Sequence, residues 1–349
     1  MHVSRPAVID ADGHIYERDR DLALHFEGRY RTLKRLETFP LFPTLDGWPR
    51  ALLSPESAPT IDPAGWLSFM AEAGLARAVL YPTAGLAVGL IQKPEWAIAL
   101  CRAYNNWLYH TYLTANQAFH GVALLPVHDP TAAAEELHHA VREQGMVAGL
   151  LPANNVLRKS YGHRDFDPLY AAAQQLDVPL VVHGAPSQGL GIDHFDTFIK
   201  VHALEHPLAI LIQCTSIVLD GVFERFPQVR IGFLEAGCGW VPYLMDRLDY
   251  EYEAAWAREA SAIVQRPSTY MTRGQMYVTC ELEEACLPYV ISRFGAEHLM
   301  YPSDFPHERA RSDFLHDVPE FLQRDDIPDA AKPLILGDNA RRFYRLPDD

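Results

Sequence analysis

The sequence predicts an α/β protein with a (β/α)8 TIM barrel, an insertion after the first strand and helices at the C-terminus. Eight short segments are rich in aliphatic residues, and their centres lie near positions 8, 78, 122, 148, 181, 231, 277 and 300. Most of these segments are continuous apolar runs, which is typical of parallel strands that are buried on both faces. Eight such strands separated by helices favour a barrel over an open sheet.

Helix signals between the apolar segments support this alternation. Asp62 and Asp129 each stand directly before a proline, which is the usual order of an N-cap and a first helical residue. Gly74 and Gly145 lie where the following helices are expected to end. A Rossmann-like sheet is the main alternative. It is disfavoured because no strand-to-helix turn carries a G-x-G-x-x-G or P-loop pattern.

The chain is predicted to form one domain over residues 1–349, in which residues 17–60 are an insertion. A structureless loop of this length would be unusual in a compact domain unless it has a function. The segment contains Phe39, Phe42 and Trp48 among several prolines. These aromatic residues indicate an ordered flap over a site, and the alternative is an excursion packed on the surface.

The composition excludes several classes of partner. The formal net charge is −15, and no run of lysine or arginine marks a surface for nucleic acid. The five cysteines include no C-x-x-C pair, which is typical of reduced thiols in a cytoplasmic protein. The N-terminus lacks the apolar core of a signal peptide, and no apolar run suggests a membrane span. The sequence leaves open whether the protein forms a homo-oligomer.

Ionisable side chains follow the predicted strands. Asp12 and His14 follow the first strand, His183 ends the fifth, Glu235 follows the sixth, and Asp304 and His307 follow the eighth. In a barrel of this class the carboxyl ends of the strands form one mouth, where active sites lie. Carboxylates that face each other there repel unless a cation joins them. We therefore predict one divalent ion, held by nitrogen and oxygen atoms of Asp12, His14, His183 and Asp304. Zinc is the first expectation, with manganese or iron as alternatives.

Several motifs together resemble one family. They are Val8-Ile9-Asp10-x-Asp12-x-His14, Val182-His183-Gly184, Gly221-Val222-Phe223-Glu224-Arg225-Phe226-Pro227, Glu235-x-Gly237-x-Gly239-Trp240, Ser303-Asp304-Phe305-Pro306-His307 and Gly337-Asp338-Asn339-Ala340. The pattern resembles the amidohydrolase-related branch of the amidohydrolase superfamily, which contains aminocarboxymuconate semialdehyde decarboxylase and the resorcylate-type decarboxylases. The resemblance implies a metal-dependent barrel. It places Asp12 and His14 at the H-x-H positions, His183 at the fifth-strand ligand and Asp304 at the eighth-strand aspartate.

Two residues depart from the family pattern. Asp12 replaces the usual first histidine, which adds a negative charge to the site. Glu235 stands where the decarboxylases typically place a catalytic histidine. Glu235 could act as a ligand, as a general base or as a carboxylate held by the helix that begins at Trp240. We favour a base or a residue that orients a ligand.

The predicted function is metal-dependent, non-oxidative decarboxylation of a small aromatic or unsaturated carboxylic acid, with Asp304, Glu235 and His307 as catalytic residues. No dinucleotide, pyridoxal phosphate or flavin signature is present, so the ion would supply the electrophile. One alternative is a hydrolase of an amide, lactone or C–C bond that uses a metal-activated water. A second is a non-catalytic barrel with a structural metal. Arg273, Arg309 or Arg311 could bind the substrate carboxylate.

Overall fold

The structure, a computed structural model, describes residues 7–31, 40–43, 61–254, 257–307 and 311–347. Most of the predicted insertion, including Phe39 and Trp48, lies outside these ranges. The described part of residues 17–60 holds a short helix, Asp19–Leu22, and two helical turns. The choice between a flap and a surface excursion therefore stays a prediction.

In the described ranges, eight parallel strands alternate with eight main helices. The strands are β1 Val8–Ile15, β2 Leu75–Pro82, β3 Phe119–Leu124, β4 Ala148–Pro152, β5 Leu180–His183, β6 Ile231–Leu234, β7 Met276–Thr279 and β8 Leu299–Met300. Each is followed by the helix of the same number: α1 Pro63–Ala73, α2 Pro94–Leu108, α3 Pro130–Gln144, α4 Asp167–Leu176, α5 Phe198–Leu219, α6 Trp240–Glu253, α7 Leu287–Phe294 and α8 Arg311–Gln323. Short helices Ala331–Pro333 and Asn339–Tyr344 end the chain, as predicted.

The strands form a nearly closed barrel in the order β1 to β8, with every paired neighbour parallel. Backbone hydrogen bonds join β1 to the segment that follows β8. Ala11 N donates to Tyr301 O over 2.9 Å, and His14 N donates to Phe305 O over 2.7 Å. The predicted fold class is confirmed, and the segment with Ser303 and Asp304 is held against the end of β1.

Two of the predicted helix starts have the expected caps. Asp62 Oδ1 accepts from Gly65 N over 2.8 Å, and Asp129 Oδ1 accepts from Thr131 N over 3.0 Å. Gly74 adopts a φ of 73°, a left-handed conformation that favours glycine and ends α1. These local contacts explain why the ends of these helices can be predicted from the sequence.

The helix after β5 differs from the prediction. The sequence indicates a helix over Ile217 to Phe226, whereas the structure has α5 over Phe198–Leu219 and a separate short helix, Val222–Arg225. Pro207 lies inside α5 and obscures the helical pattern, because proline removes one backbone donor. Burial of one face of α5 stabilises the helix in spite of that local cost.

Among the described helices, α5 alone is long and apolar enough to cross a membrane. Half of its most apolar window is buried within the protein. A core helix that packs against a barrel passes the same length and composition test, so this feature is weak evidence for a membrane span.

Candidate metal centre and catalytic site

Asp12 and His14 lie at the carboxyl end of β1, and both side chains are buried. The Nδ1 atom of His14 lies 2.8 Å from Pro82 O at the end of the neighbouring strand. This contact turns Nε2 toward the barrel mouth. The strand end and its neighbour therefore fix which nitrogen of His14 faces the site.

Four side chains from three strand ends meet there, namely Asp12, His14, His183 and Asp304, which we call the donor cluster. Asp12 Oδ1 lies 3.0 Å from His183 Nε2 and 3.5 Å from His14 Nε2. His14 Nε2 lies 3.6 Å from Asp304 Oδ1. His14 Nε2 is buried, and it has no hydrogen-bond partner among the described residues. A divalent cation fits this set, because it would occupy the unused lone pair of His14 and join two carboxylates.

The charges of the donor cluster are consistent with a cation site. Burial raises the pKa of the Asp12 carboxyl to about 6. Burial also opposes a charge on His183, but Asp12 and Glu235 raise the pKa of this imidazole well above its ordinary value. The two carboxylates thus attract positive charge at this point of the donor cluster. Metal binding through His183 Nε2 requires the neutral imidazole, so it would compete with protonation of this ring.

Glu235 follows β6 in a left-handed conformation, with φ at 64°, which costs energy for a residue with a side chain. Its Oε2 atom lies 3.1 Å from His183 Nδ1 and 3.5 Å from His206 Nδ1. This oxygen is buried, and none of the described residues donates to it in hydrogen-bond geometry. Burial disfavours the ionised carboxyl, yet His206 and His183 hold its pKa below the ordinary value. Glu235 thus combines strain with an uncommitted acceptor.

His307 lies against the donor cluster with both ring nitrogens in contact with polar atoms. Nδ1 lies 2.8 Å from Asp304 Oδ1, and Nε2 lies 2.9 Å from Thr83 Oγ1. The His307 ring stacks obliquely on the ring of His14, with centroids 4.1 Å apart. Asp304 itself has a left-handed φ of 56°. His307 therefore orients the carboxylate of Asp304.

Asp10 holds together the two segments that carry the donor cluster. Its carboxylate accepts from Ser303 N over 2.8 Å, from Ser303 Oγ over 2.6 Å and from Asp12 N over 3.1 Å. Burial raises the pKa of Asp10 to about 7, and the bonds from Ser303 oppose that rise. The sequence shows Asp10 only as part of a motif, and its role as a clamp needs the structure.

We predict that Ser303→Ala lowers the free energy of unfolding by about 1–3 kcal/mol at pH 8, because a buried carboxylate loses a donor. Denaturant unfolding measures the change. Ser292→Ala is the matched control, since its hydroxyl donates to Tyr289 O on the exposed surface and should contribute less than about 0.5 kcal/mol. Equal stability of Ser303→Ala and the wild type would contradict the clamp.

Two further ionisable residues at the site are absent from the sequence predictions. Glu281 follows β7; burial raises its pKa well above the ordinary value, and the nearby Asp304 adds to the effect. Its position just after β7, like that of the other acidic residues at strand ends, is the sequence signal that points to it. His206 lies in the interior of α5, and no local sequence signal points to it.

The arginines proposed to bind substrate have other partners. The guanidinium of Arg273 donates to Phe223 O and to Gln275. Arg311 pairs with Glu72 on α1. The donors of these two arginines are engaged outside the donor cluster, so their role in substrate binding stays a prediction. Arg309 lies outside the described residues.

A second group of potential ligands, Cys238, Glu284 and Cys286, lies beside the start of α6. The Glu284 carboxylate accepts from Cys238 N and Gly239 N, so it caps the loop that follows Glu235. Burial raises the pKa of the Cys238 thiol, which disfavours the thiolate that metals bind. This group is therefore explained as a structural support for the loop.

Residues 9–346 match the sequence profile of the family described as Amidohydrolase. The chain belongs to this amidohydrolase family. The match covers almost the whole barrel and includes every member of the donor cluster. The predicted family resemblance is confirmed, and so is the branch that contains the resorcylate and aminocarboxymuconate semialdehyde decarboxylases.

Two curated relatives of this amidohydrolase are decarboxylases. The decarboxylase OrsB of Emericella nidulans is 28% identical over 221 residues, which is 60% of this chain. The match covers 65% of OrsB, slightly less than two thirds of its length. The gamma-resorcylate decarboxylase of Rhodococcus jostii is 25% identical over 273 residues, which is 74% of this chain and 80% of the relative.

A solved structure shares the fold of this amidohydrolase along its full length. It is dihydroxybenzoic acid decarboxylase from a Polaromonas species, with bound manganese and the inhibitor 2-nitroresorcinol. The TM-score is 0.71 at 21% sequence identity, and the alignment covers 99% of this chain and 98% of the other. The similarity supports the barrel architecture.

Proposed function

We propose that this amidohydrolase is a metal-dependent, non-oxidative decarboxylase of a small aromatic or unsaturated carboxylic acid. The observation that carries the proposal is the donor cluster at the barrel mouth. There the buried His14 Nε2, which has no hydrogen-bond partner in the described part of the chain, faces two carboxylates. Catalytic metal sites leave a coordination position open for substrate, and a barrel mouth provides access to it. The decarboxylase relatives support this reaction over others of the family.

The four members of the donor cluster would hold one divalent ion. When bound, the ion would attract the substrate carboxylate and a neighbouring oxygen and would stabilise negative charge that develops on the substrate. The sequence predicts zinc first, with manganese or iron as alternatives. Two carboxylates among four donors, and the manganese in the Polaromonas structure, support manganese for this chain.

The protein side chains would orient the substrate and supply a proton. His307 holds Asp304 through the 2.8 Å contact, so the geometry of that ligand is fixed before substrate arrives. Glu235 Oε2 lies beside the donor cluster and contacts the rings of His183 and His206, but it accepts no hydrogen bond of good geometry from the described residues. Such an oxygen suits an atom that carries a proton during turnover. The proton would be placed on the carbon that loses its carboxylate. The electron pair of the broken C–C bond would remain on the product.

Two broader features of the proposal come from the whole chain. A cytoplasmic location is supported by the five cysteines, all of which are unpaired in the structure. The expected partner is the small carboxylic acid alone, with no nucleic acid and no membrane. We leave the homo-oligomeric state as a proposal that size measurements in solution would test.

The proposal is tested by CO₂ release from a panel of hydroxylated benzoic acids and dienoic acids. The protein is stripped with a chelator and reloaded with manganese, zinc or buffer alone. We expect CO₂ from at least one acid with the reloaded protein and none with the stripped protein. Equal release by stripped and reloaded protein would contradict a metal-dependent reaction, and no release from any acid would contradict decarboxylation.

One observation supports hydrolysis as a second candidate. Because Glu235 Oε2 is an uncommitted acceptor, it could instead take a proton from a water molecule that attacks an amide, lactone or C–C bond. The same residues would then serve a hydrolase, and isotope labelling distinguishes the two reactions.

A further inference from the structure

The proton consumed in decarboxylation has to reach Glu235 Oε2, and this atom is buried. The nearby histidines that face the donor cluster have committed Nδ1 atoms. His14 Nδ1 contacts Pro82 O, His183 Nδ1 contacts Gly184 O, and His307 Nδ1 contacts Asp304. A proton route through these rings would disturb the proposed metal ligands or their support.

His206 has a different position. Its Nδ1 atom lies 3.5 Å from Glu235 Oε2, and its side chain is 12% exposed, whereas the side chain of His183 is fully buried. His206 lies on α5, outside the barrel strands, and a small part of its side chain is exposed to solvent. Its Nε2 atom lies 3.8 Å from Glu205 Oε2.

The local structure holds the His206 ring against Glu235. Phe198, His202 and His206 are spaced four residues apart on α5, and each consecutive pair of rings has centroids 4.9 Å apart. On the opposite side lies Gly184, the residue after β5. A Cβ atom at Gly184 would lie 2.7 Å from His206 Cγ and 2.8 Å from Glu235 Oε2. The contact between the two side chains thus depends on a glycine at this point.

We propose that His206 is a proton-relay residue that returns to Glu235 Oε2 the proton consumed at the product carbon. This inference rests on the proposed function and concerns the same site. In each turnover the C–C bond to the carboxylate breaks, and the carbon takes a proton from Glu235 Oε2. His206, in its Nδ1–H form, then passes this proton to Oε2 while Nε2 gains one from solvent. The ring returns to the Nδ1–H form by proton exchange with solvent before the next turnover. The balance is one proton consumed and one CO₂ released, without any change in oxidation state of the protein.

The test compares two substitutions of His206 in the manganese-loaded protein. His206→Ala should lower kcat by about 10²-fold, with metal content and KM near the wild-type values, and added imidazole should restore part of the rate. His206→Asn keeps an N–H group that can reach Glu235 but cannot pass a proton, so its kcat should fall similarly. Wild-type kcat in His206→Asn would show that His206 only positions Glu235 and would overturn the relay.

A matched control is His120→Ala. His120 is a partly buried histidine beside Arg77 at the amino-terminal end of β3, the opposite end of the barrel from the donor cluster. The kcat of His120→Ala should equal that of the wild type. A decrease equal to that of His206→Ala would mean that loss of any partly buried histidine slows the enzyme, and the relay would be refuted.

A readout without turnover separates this inference from the proposed function. In protein labelled with ¹⁵N-histidine, the ring signals of His206 are identified by their absence in His206→Ala. Glu235→Gln should shift the Nδ1 signal of His206, because Nδ1 faces that carboxylate. An unchanged signal would overturn the relay even if CO₂ is released, whereas a shift without CO₂ release would refute only the decarboxylase.

Discussion

His183→Ala is expected to reduce the metal content of the purified protein from about one divalent ion per chain to a small fraction of that, and to abolish turnover. His183 Nε2 lies 3.0 Å from Asp12 Oδ1 at the centre of the donor cluster. Removing the imidazole deletes a nitrogen donor and leaves Asp12 and Glu235 without the group that now separates them. Elemental analysis after exhaustive dialysis measures the change.

A matched control for this variant is His298→Ala. His298 is also buried, and its Nδ1 atom lies 3.1 Å from Met276 O at the start of β7, away from the barrel mouth. This variant should lose stability but keep its metal. Undiminished metal in His183→Ala would refute the assignment of His183, and equal loss in both variants would indicate general unfolding.

The second large effect is expected for Glu235→Gln, which retains the shape of the side chain and removes its charge. Turnover should fall by about 10²- to 10⁴-fold, because the amide cannot carry the proton held at Oε2. Metal content should stay near the wild-type level, since the four donors of the cluster remain. Steady-state kinetics and elemental analysis on the same preparation provide both numbers.

The metal content of Glu235→Gln decides between the two possible roles of Glu235. Its carboxylate lies close enough to His14, Asp304 and His307 to be a ligand, so loss of metal in Glu235→Gln would make it one and refute the proton-transfer role. Glu136→Gln is the control for a buried glutamate. Glu136 bonds Asn105 and Arg102 between α2 and α3, on the outside of the barrel. The Glu136→Gln substitution should lower stability more than it lowers turnover.

The barrel can be predicted from the sequence because the patterns that indicate its strands and helices are local. Apolar runs such as the one that ends at His183, and caps such as Asp62, need no knowledge of distant contacts. The polar residues at strand ends are legible for the same reason. The fold class then places them at one mouth. Asp12 and His183 are 171 positions apart in the sequence, and the barrel brings Asp12 Oδ1 close to His183 Nε2.

The features that the sequence conceals depend on tertiary contacts. α5 begins at Phe198, well before the predicted start, because burial outweighs the effect of Pro207. His206 therefore has no visible partner in the sequence, although Glu235 lies 3.5 Å away in the fold. Arg273 shows a second kind of hidden contact. In the sequence its guanidinium is a candidate for substrate binding, but in the fold it donates to the carbonyl of Phe223.

The central claim, decarboxylation rather than hydrolysis, is tested most directly by isotope labelling of one turnover. The metal-loaded protein reacts with its best acid substrate in D₂O and, separately, in H₂¹⁸O, and mass spectrometry follows both products. We predict CO₂ release with deuterium on the carbon that carried the carboxylate and no heavy oxygen in the organic product. Heavy oxygen in the organic product without release of CO₂ would contradict the decarboxylase and establish a hydrolase.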